Sequence, residues 1–367
     1  MADEAEEQRN RQNRPDIPGA TGRNRWIRPL LQLAAIPYSF AVSVRNLLYD
    51  HGWKRRHTLP CRVVSVGNVT VGGTGKTPLI IWITQWLLAQ GFKVAVLSRG
   101  YRRTRRASQL VVSDGGNVLT GPDEAGDEPY LIATCCRGAV VAVGSDRYRL
   151  GRWVLDRFAP DYMLLDDGFQ HRSLQRDVDI VLIDASDHAG LHALLPAGRL
   201  REPLSAVSRA SAIVLTRADT EHDVHAIRAL IKTSAGVDAE PILVRFEAHG
   251  YVDVANGAAK TLQEAAGRRA VIFSGIGNPA SFRDLLIRHG VKVEEEIVYR
   301  DHYAYTKADL NRLRERAARV GADLLLTTEK DAVKITSLLN TYDSMWAVKL
   351  STAIVKGRER LERLIVG

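Results

Sequence analysis

Eight consecutive residues, Thr70-Val71-Gly72-Gly73-Thr74-Gly75-Lys76-Thr77, carry the clearest chemistry in this chain. The apolar run 63–66 leads into them, and an apolar segment with helical spacing follows from Pro78. That is the strand–loop–helix layout of a phosphate-binding loop. Successive backbone N–H groups and the helix N-terminus form a nest for phosphate oxygens, and glycines let the backbone close around the anion. Lys76 is placed to reach the outer phosphates, and the Thr77 hydroxyl to ligate magnesium. The usual pattern opens with glycine, and here Thr70 stands in its place. A glycine-rich turn ending in a chance Gly-Lys-Thr is the competing explanation; the flanking strand and helix argue against it.

An acid at the end of a strand is the expected partner of such a loop, because it holds Mg²⁺ directly or through water. The stretch Asp161-Tyr162-Met163-Leu164-Leu165-Asp166-Asp167-Gly168-Phe169-Gln170-His171-Arg172 supplies two. Adjacent aspartates point to different sides, so one can serve the metal and the other the loop or substrate. Alone, Asp166 and Asp167 would read as a charged turn after a buried strand. Arg99, Arg102, Arg103, Arg105 and Arg106 follow the predicted strand 93–97, on the side where α/β sheets bind ligands. Arginine forks suit a phosphate or an anionic headgroup, and a solvated loop explains the cluster as well. The turns 215–219 and 328–331 can contact a purine base or simply cap helices. His171, His188 and His192 form no metal-ligand spacing, so no metal is expected on them.

These groups need a frame. Short aliphatic runs at 93–97, 139–143, 162–165, 179–183 and 212–215 alternate with helical stretches such as 78–90, 124–136 and 146–158. The alternation predicts an α/β fold: a P-loop NTPase-like parallel sheet with helices on both faces. A second set of strands at 242–246, 270–273, 292–298 and 323–326, with helices near 279–289 and 307–320, predicts a second, smaller α/β domain. The expected divisions are a disordered tail at 1–25, an N-terminal helix with the phosphate-loop domain at 26–225, and the smaller domain at 226–367.

A length of 367 residues agrees with two domains, since single cores stop growing near roughly 250–300 residues. The net charge of +9 favours anionic partners: nucleotides, phosphorylated small molecules, nucleic acid or an anionic membrane face. No basic groove interleaved with aromatics is visible, so nucleic acid is not expected. Cys61, Cys135 and Cys136 form neither a Cys-x-x-Cys pair nor a disulfide framework, which points to a reducing compartment. Residues 29–44 carry no charge and are bracketed by Arg28 and Arg45. The run is short of the ~20 apolar residues of a membrane span. Pro29 and Pro37 should break or kink a helix there. With Trp26 and Trp53-Lys54-Arg55-Arg56, the segment suits a helix lying in a membrane interface or one packed on the core. A signal peptide is not expected.

Motif by motif, the chain resembles the tetraacyldisaccharide 4′-kinase family, the lipid A 4′-kinases of Gram-negative bacteria. The resemblance is carried by the octet Thr70 to Thr77, by Leu97-Ser98-Arg99-Gly100-Tyr101 and by Gly126-Asp127-Glu128-Pro129. It continues through Asp166-Asp167-Gly168-Phe169-Gln170-His171, Leu195-Pro196-Ala197-Gly198 and Arg201-Glu202-Pro203. It ends with Asp301-His302-Tyr303 and Thr327-Thr328-Glu329-Lys330-Asp331. Thr70 looks like a feature of this family, and the tail 1–25 has no counterpart in it.

The resemblance implies transfer of the γ-phosphate of ATP to the 4′-hydroxyl of an acylated glucosamine disaccharide 1-phosphate. The product would be the bis-phosphorylated lipid A precursor, lipid IVA, made at the cytoplasmic face of the bacterial inner membrane. It also implies two α/β/α domains with the site in the cleft between them. Asp127 and His302 would be the catalytic pair beside Lys76. Thr77, Asp166, Asp167 and Glu202 would handle Mg²⁺, and Arg99 and Arg201 would bind substrate. No protein partner is expected on this reading. The alternative is a P-loop NTPase that couples hydrolysis to a protein partner.

Overall fold

The computed structural model describes residues 27–100, 108–218, 220–339 and 344–367. The expected tail at 1–25, Trp26, Arg102, Arg103, Arg105, Arg106 and Asp219 lie outside the described residues.

The first lobe begins with helix α1 (Ile27–Asp50), strand β1 (Arg62–Asn68) and helix α2 (Lys76–Ala89). It continues through β2 (Val94–Ser98), β3 (Gln109–Asp114), α3 (Pro122–Ala125), α4 (Asp127–Cys135), β4 (Val140–Gly144) and α5 (Arg147–Phe158). Strands β5 (Tyr162–Asp166), β6 (Val178–Asp184) and β7 (Ala212–Thr216) and helix α6 (Glu221–Ala235) complete it. Strand β1 lies between β5 and β6, parallel to both, with Val66 opposite Asp166. That register sets Asp166 beside the start of the phosphate loop.

Both faces of this sheet are covered, which is why its strands read as near-continuous apolar runs. Val64 and Val66 pack with Leu79 and Ile83 of α2 on one face. Val63 and Leu165 pack with Leu150 and Val154 of α5 on the other. Burying each such side chain contributes about 1.5–3 kcal/mol.

The second lobe comprises β8 (Ile242–Asp253), β9 (Ala259–Lys260), β10 (Arg269–Ser274), α7 (Pro279–Arg288), β11 (Lys292–Val298) and α8 (Lys307–Val320). Strand β12 (Leu324–Thr328), helix α9 (Glu329–Ile335) and β13 (Met345–Lys356) follow, and α10 (Arg358–Val366) returns to the first lobe, where Leu361 and Ile365 pack with Val64 and Val66. Here α7 covers Ile272 and Leu326 with Leu286, while α8 covers Phe273 and Leu325 with Leu313.

The sheet is continuous through both lobes, in the order β11-β10-β12-β13-β8-β7-β6-β1-β5-β2-β4-β3. The join is a long antiparallel ribbon of β8 and β13, with β8 also pairing β7. Sequence patterning anticipated only the first part of β8 and neither β13 nor α10. Long ribbon strands with one face toward the cleft lack the solid apolar run of a doubly covered strand, and their burial falls off along β13.

Two local expectations need correction. The helix expected over 124–136 is broken at Gly126, whose φ of 90° and ψ of 151° belong to no helix. The break starts a new helix at Asp127 and frees that side chain from the preceding turn. The segment with Pro29 and Pro37 is not broken: it is a single helix, α1, with Pro37 inside it. Pro29 falls in the first turn, where its missing N–H is not needed. Tertiary anchors hold the helix past Pro37: Tyr38 Oη donates to the Arg201 carbonyl at 2.9 Å, and Arg45 pairs with Glu202 at 2.7 Å.

Candidate active site

The loop between β1 and α2 is fastened from both sides. Val71 N donates to the Arg199 carbonyl at 2.8 Å, and the Arg199 guanidinium returns two bonds to the Val71 carbonyl at 3.1 and 2.9 Å. Asn68 Nδ2 donates to Thr74 Oγ1 at 3.0 Å, and Thr216 Oγ1 to the Thr74 carbonyl at 3.1 Å. Thr70 is buried and forms a β-bridge with Leu200. Its backbone is not among the positive-φ residues, so the first loop position requires no glycine here. A cleft of about 2070 Å³ borders the loop and reaches both lobes.

Asp166 and Asp167 flank this cleft with opposite electrostatics. Asp167 accepts from Arg201 at 2.7 Å and lies 3.5 Å from Lys76. Burial works against its charge, but Lys76 and Arg201 prevail and hold its carboxyl down at about 2. Asp166 is pushed up to about 7, first by burial and then by Glu128 and Asp167, against the Ser98 hydrogen bond and Lys76. Its Oδ2 accepts from Ser98 Oγ at 2.8 Å, while its buried Oδ1 has no hydrogen-bond partner. A buried carboxylate oxygen without a partner, bordering the same cleft as Thr77, fits an incoming cation.

The second cluster spans the lobes. His302 follows β11 in a left-handed conformation with φ of 58°. Its Nδ1 lies 2.9 Å from Oδ2 and 3.2 Å from Oδ1 of Asp127, the first residue of α4. Burial raises the Asp127 pKa, but the His302 hydrogen bond and the charges of Lys330 and Lys334 leave it below the usual carboxylate value. Lys330 of α9 lies 2.9 Å from Glu128, 3.3 Å from Asp301 and 3.3 Å from His302 Nε2. The lobes also touch at the phosphate loop, where a Cβ built on Gly277 would stand 2.4 Å from the Gly73 nitrogen. Asp331 positions that second-lobe loop by accepting from the Gly275 N–H at 3.0 Å.

Glu202 is placed elsewhere than expected. It does not border the cleft. One oxygen binds Arg45 at 2.7 Å, and the other binds Arg209 at 2.7 Å and Asn46 at 3.1 Å. With both oxygens occupied and the side chain wholly buried, Glu202 anchors α1 to the first lobe. That engagement removes it from the metal-ligand set. Arg201 is committed to Asp167, whereas Arg99 is exposed at the cleft.

Other residues reach the cleft without having been anticipated. Arg147, in the first turn of α5, is buried and donates to the Gly144 carbonyl at 2.6 Å. Burial pushes it down to about 10 against the pull of Asp166 and Asp167, and its Nε lacks a partner. Burial, then Arg147, pushes His171 down to about 4, so its ring is neutral near pH 7. Lone basic residues in a chain this rich in arginine give no sequence signal; only the fold turns them inward. The turn expected at 328–331 is a helix cap, with Thr328 accepting from Asp331 N at 3.1 Å. At 215–218, Arg217 bonds Asp184 and Ser281, linking β7 to α7.

The profile of the LpxK family, described as tetraacyldisaccharide-1-P 4′-kinase, matches residues 27–366. A tetraacyldisaccharide 4′-kinase of Syntrophus aciditrophicus is 40% identical over 314 residues, covering 83% of this chain and 84% of that protein. One from Chlorobium luteolum is 38% identical over 344 residues, covering 92% of this chain and 96% of its own. Among solved structures, LpxK from Aquifex aeolicus in complex with ATP aligns with a TM-score of 0.73 and 32% identity. That alignment covers 93% of this chain and 98% of the Aquifex protein.

Proposed function

The chain belongs to the tetraacyldisaccharide 4′-kinase family and is an ATP-dependent lipid A 4′-kinase; from that premise we propose how its cleft divides the reaction. The carrying observation is the contact of Asp127 with His302 across the lobes, in the cleft that also holds the phosphate loop. ATP phosphates would rest on the amides of Val71, Gly72, Gly73, Thr74 and Gly75, with Lys76 moving from Asp167 to the transferred phosphate. Thr77 and Asp166, with Asp167 behind, would hold Mg²⁺, which when bound neutralises charge on the phosphates.

Transfer joins the sugar 4′-oxygen to the γ-phosphorus as the bond to ADP breaks. The hydroxyl proton leaves to the Asp127–His302 pair. Ionised Asp127 is a weak base, suited to a loose transition state in which the proton departs late. Arg99 is an exposed cation at the cleft suited to a phosphate of the lipid, and Arg201 keeps Asp167 ionised.

No helix among the described residues is long and apolar enough to cross a membrane. Helix α1 nevertheless exposes Leu30, Leu33, Ile36, Phe40 and Leu47, and Trp53 follows it. This stripe, opposite the face held by Glu202 and Arg172, supports docking on the inner-membrane surface, where a tetraacylated substrate resides.

The test is ATP-dependent phosphorylation of tetraacyldisaccharide 1-phosphate in detergent micelles, with and without Mg²⁺, followed by mass. One phosphate added to the distal sugar, only with the metal, is expected. ATP hydrolysis without lipid product would overturn the reading in favour of a partner-coupled NTPase.

A further inference from the structure

His302 has charged neighbours on every side. Asp127 of α4 faces Nδ1; Lys330 of α9 faces Nε2 at 3.3 Å, with Asp301 3.9 Å from the same nitrogen. Lys334 of α9 stands 4.0 Å behind Asp127, and Glu128 holds Lys330 from the α4 side at 2.9 Å. An ammonium offers only donors, and an ionised carboxylate only acceptors. Lys330 stays charged because Glu128, Asp301 and Asp127 outweigh its burial, raising its pKa. A ring nitrogen that meets an ammonium must present its lone pair, so Nε2 accepts from Lys330. The proton of the neutral ring then sits on Nδ1 and donates to Asp127.

We propose that Lys330 is a positioning residue of the transfer reaction: it fixes His302 as the Nδ1–H tautomer and aims that N–H at Asp127. The inference rests on the acid–base reading of Asp127 and His302 given above. A consequence follows from the geometry. With Nε2 engaged by Lys330 and Nδ1–H by Asp127, the oxygens of Asp127 are the atoms left to receive the hydroxyl proton. Because Lys330 bonds Glu128 as well, the alignment forms only when α9 and α4 are together, which ties it to lobe closure.

The experiment uses the full chain, labelled with ¹⁵N-histidine and free of nucleotide and lipid. The His302 resonances are assigned by their loss in His302→Gln. Expected is the Nδ1–H pattern in the wild type and, in Lys330→Met, a shift toward the Nε2–H form. In the kinase assay Lys330→Met should lower kcat about tenfold or more with the KM for ATP little changed. Lys330→Arg, which keeps the donors, should recover most of kcat and serves as the control for a poorly folded Lys330→Met.

A wild-type ring in the Nε2–H form would overturn the proposal. So would a folded Lys330→Met with unchanged tautomer and kcat. The tautomer measurement needs no turnover. Full activity in Asp127→Asn would therefore refute the acid–base reading, and a wrong tautomer would refute the role of Lys330.

Discussion

Every functional backbone atom of the phosphate loop comes from eight consecutive residues running from just after β1 into the start of α2, whereas Asp127 and His302 meet from positions 175 residues apart. The loop is shaped by its own glycines and by neighbours in the same lobe: Asn68, Arg199 and Thr216. The Asp127–His302 contact has no such local support. It exists because Gly126 interrupts a helix in one lobe and a left-handed residue ends a loop in the other. The first region is shaped chiefly within one lobe, whereas the second needs a side chain from each lobe at once.

The sharpest break of this comparison is Lys76→Ala. Turnover should fall on the order of 10³-fold, because a preorganised cation at the transferred phosphate is lost. The melting temperature should hold, since the ion pair of Lys76 among the described residues is a long one, 3.5 Å to Asp167. Near-normal turnover would remove the loop from the chemistry.

Next in size, Asp127→Asn and His302→Ala should each lower kcat about 10²-fold with the KM for ATP nearly unchanged. A double variant no worse than either single one would show that they act as a unit. A rise in KM for ATP alone would move both into nucleotide binding and erase the contrast with the loop.

Gly277→Ala addresses lobe contact directly. The new Cβ, 2.4 Å from the Gly73 nitrogen, must push the loops apart. We expect roughly a tenfold loss in kcat/KM, borne by both substrates. Unchanged kinetics would mean that turnover does not use this closed contact.

The smallest effect concerns stability. The Asp166 pKa rises from 3.8 to about 7 on folding, so the folded state holds a proton that the unfolded chain releases. Stability of the ligand-free protein should therefore fall as pH rises from 3.8 toward about 7. Asp166→Asn should flatten that decline and raise the melting temperature at pH 8 by a few degrees, even as it abolishes turnover. Differential scanning fluorimetry across pH checks it. A lower melting temperature would show that Asp166 is already compensated without ligand.

Much of the first lobe was legible because doubly covered parallel strands and their helices write solid apolar runs. The second lobe was legible at β10, β12, α7 and α8 for the same reason. The β8–β13 ribbon was not, because its strands are half exposed and depend on each other for their hydrogen bonds. Among site residues, Glu202 shows the limit most clearly. An acid in Arg-Glu-Pro beside a nucleotide site is equally suited to a metal or to arginines. The packing of α1, with Arg45 and Asn46 on its inner face, decides for the arginines. Arg147 carries no pattern of its own, and Lys330 lies in a motif that assigns it no role; both matter through what surrounds them.

By itself the sequence determined the strand–loop–helix that receives phosphate, the acids at the end of β5 and the family to which the chain belongs. These depend on residues close together in the chain, where glycine conformation and apolar spacing act directly on the backbone. Only the tertiary structure decided that Asp127 reaches His302, that Lys330 caps the far side of that ring, and that Glu202 holds a helix. Each is a matter of charge meeting charge across elements distant in the chain, and the energy of such a contact is set by burial and distance, which no spacing in the sequence records.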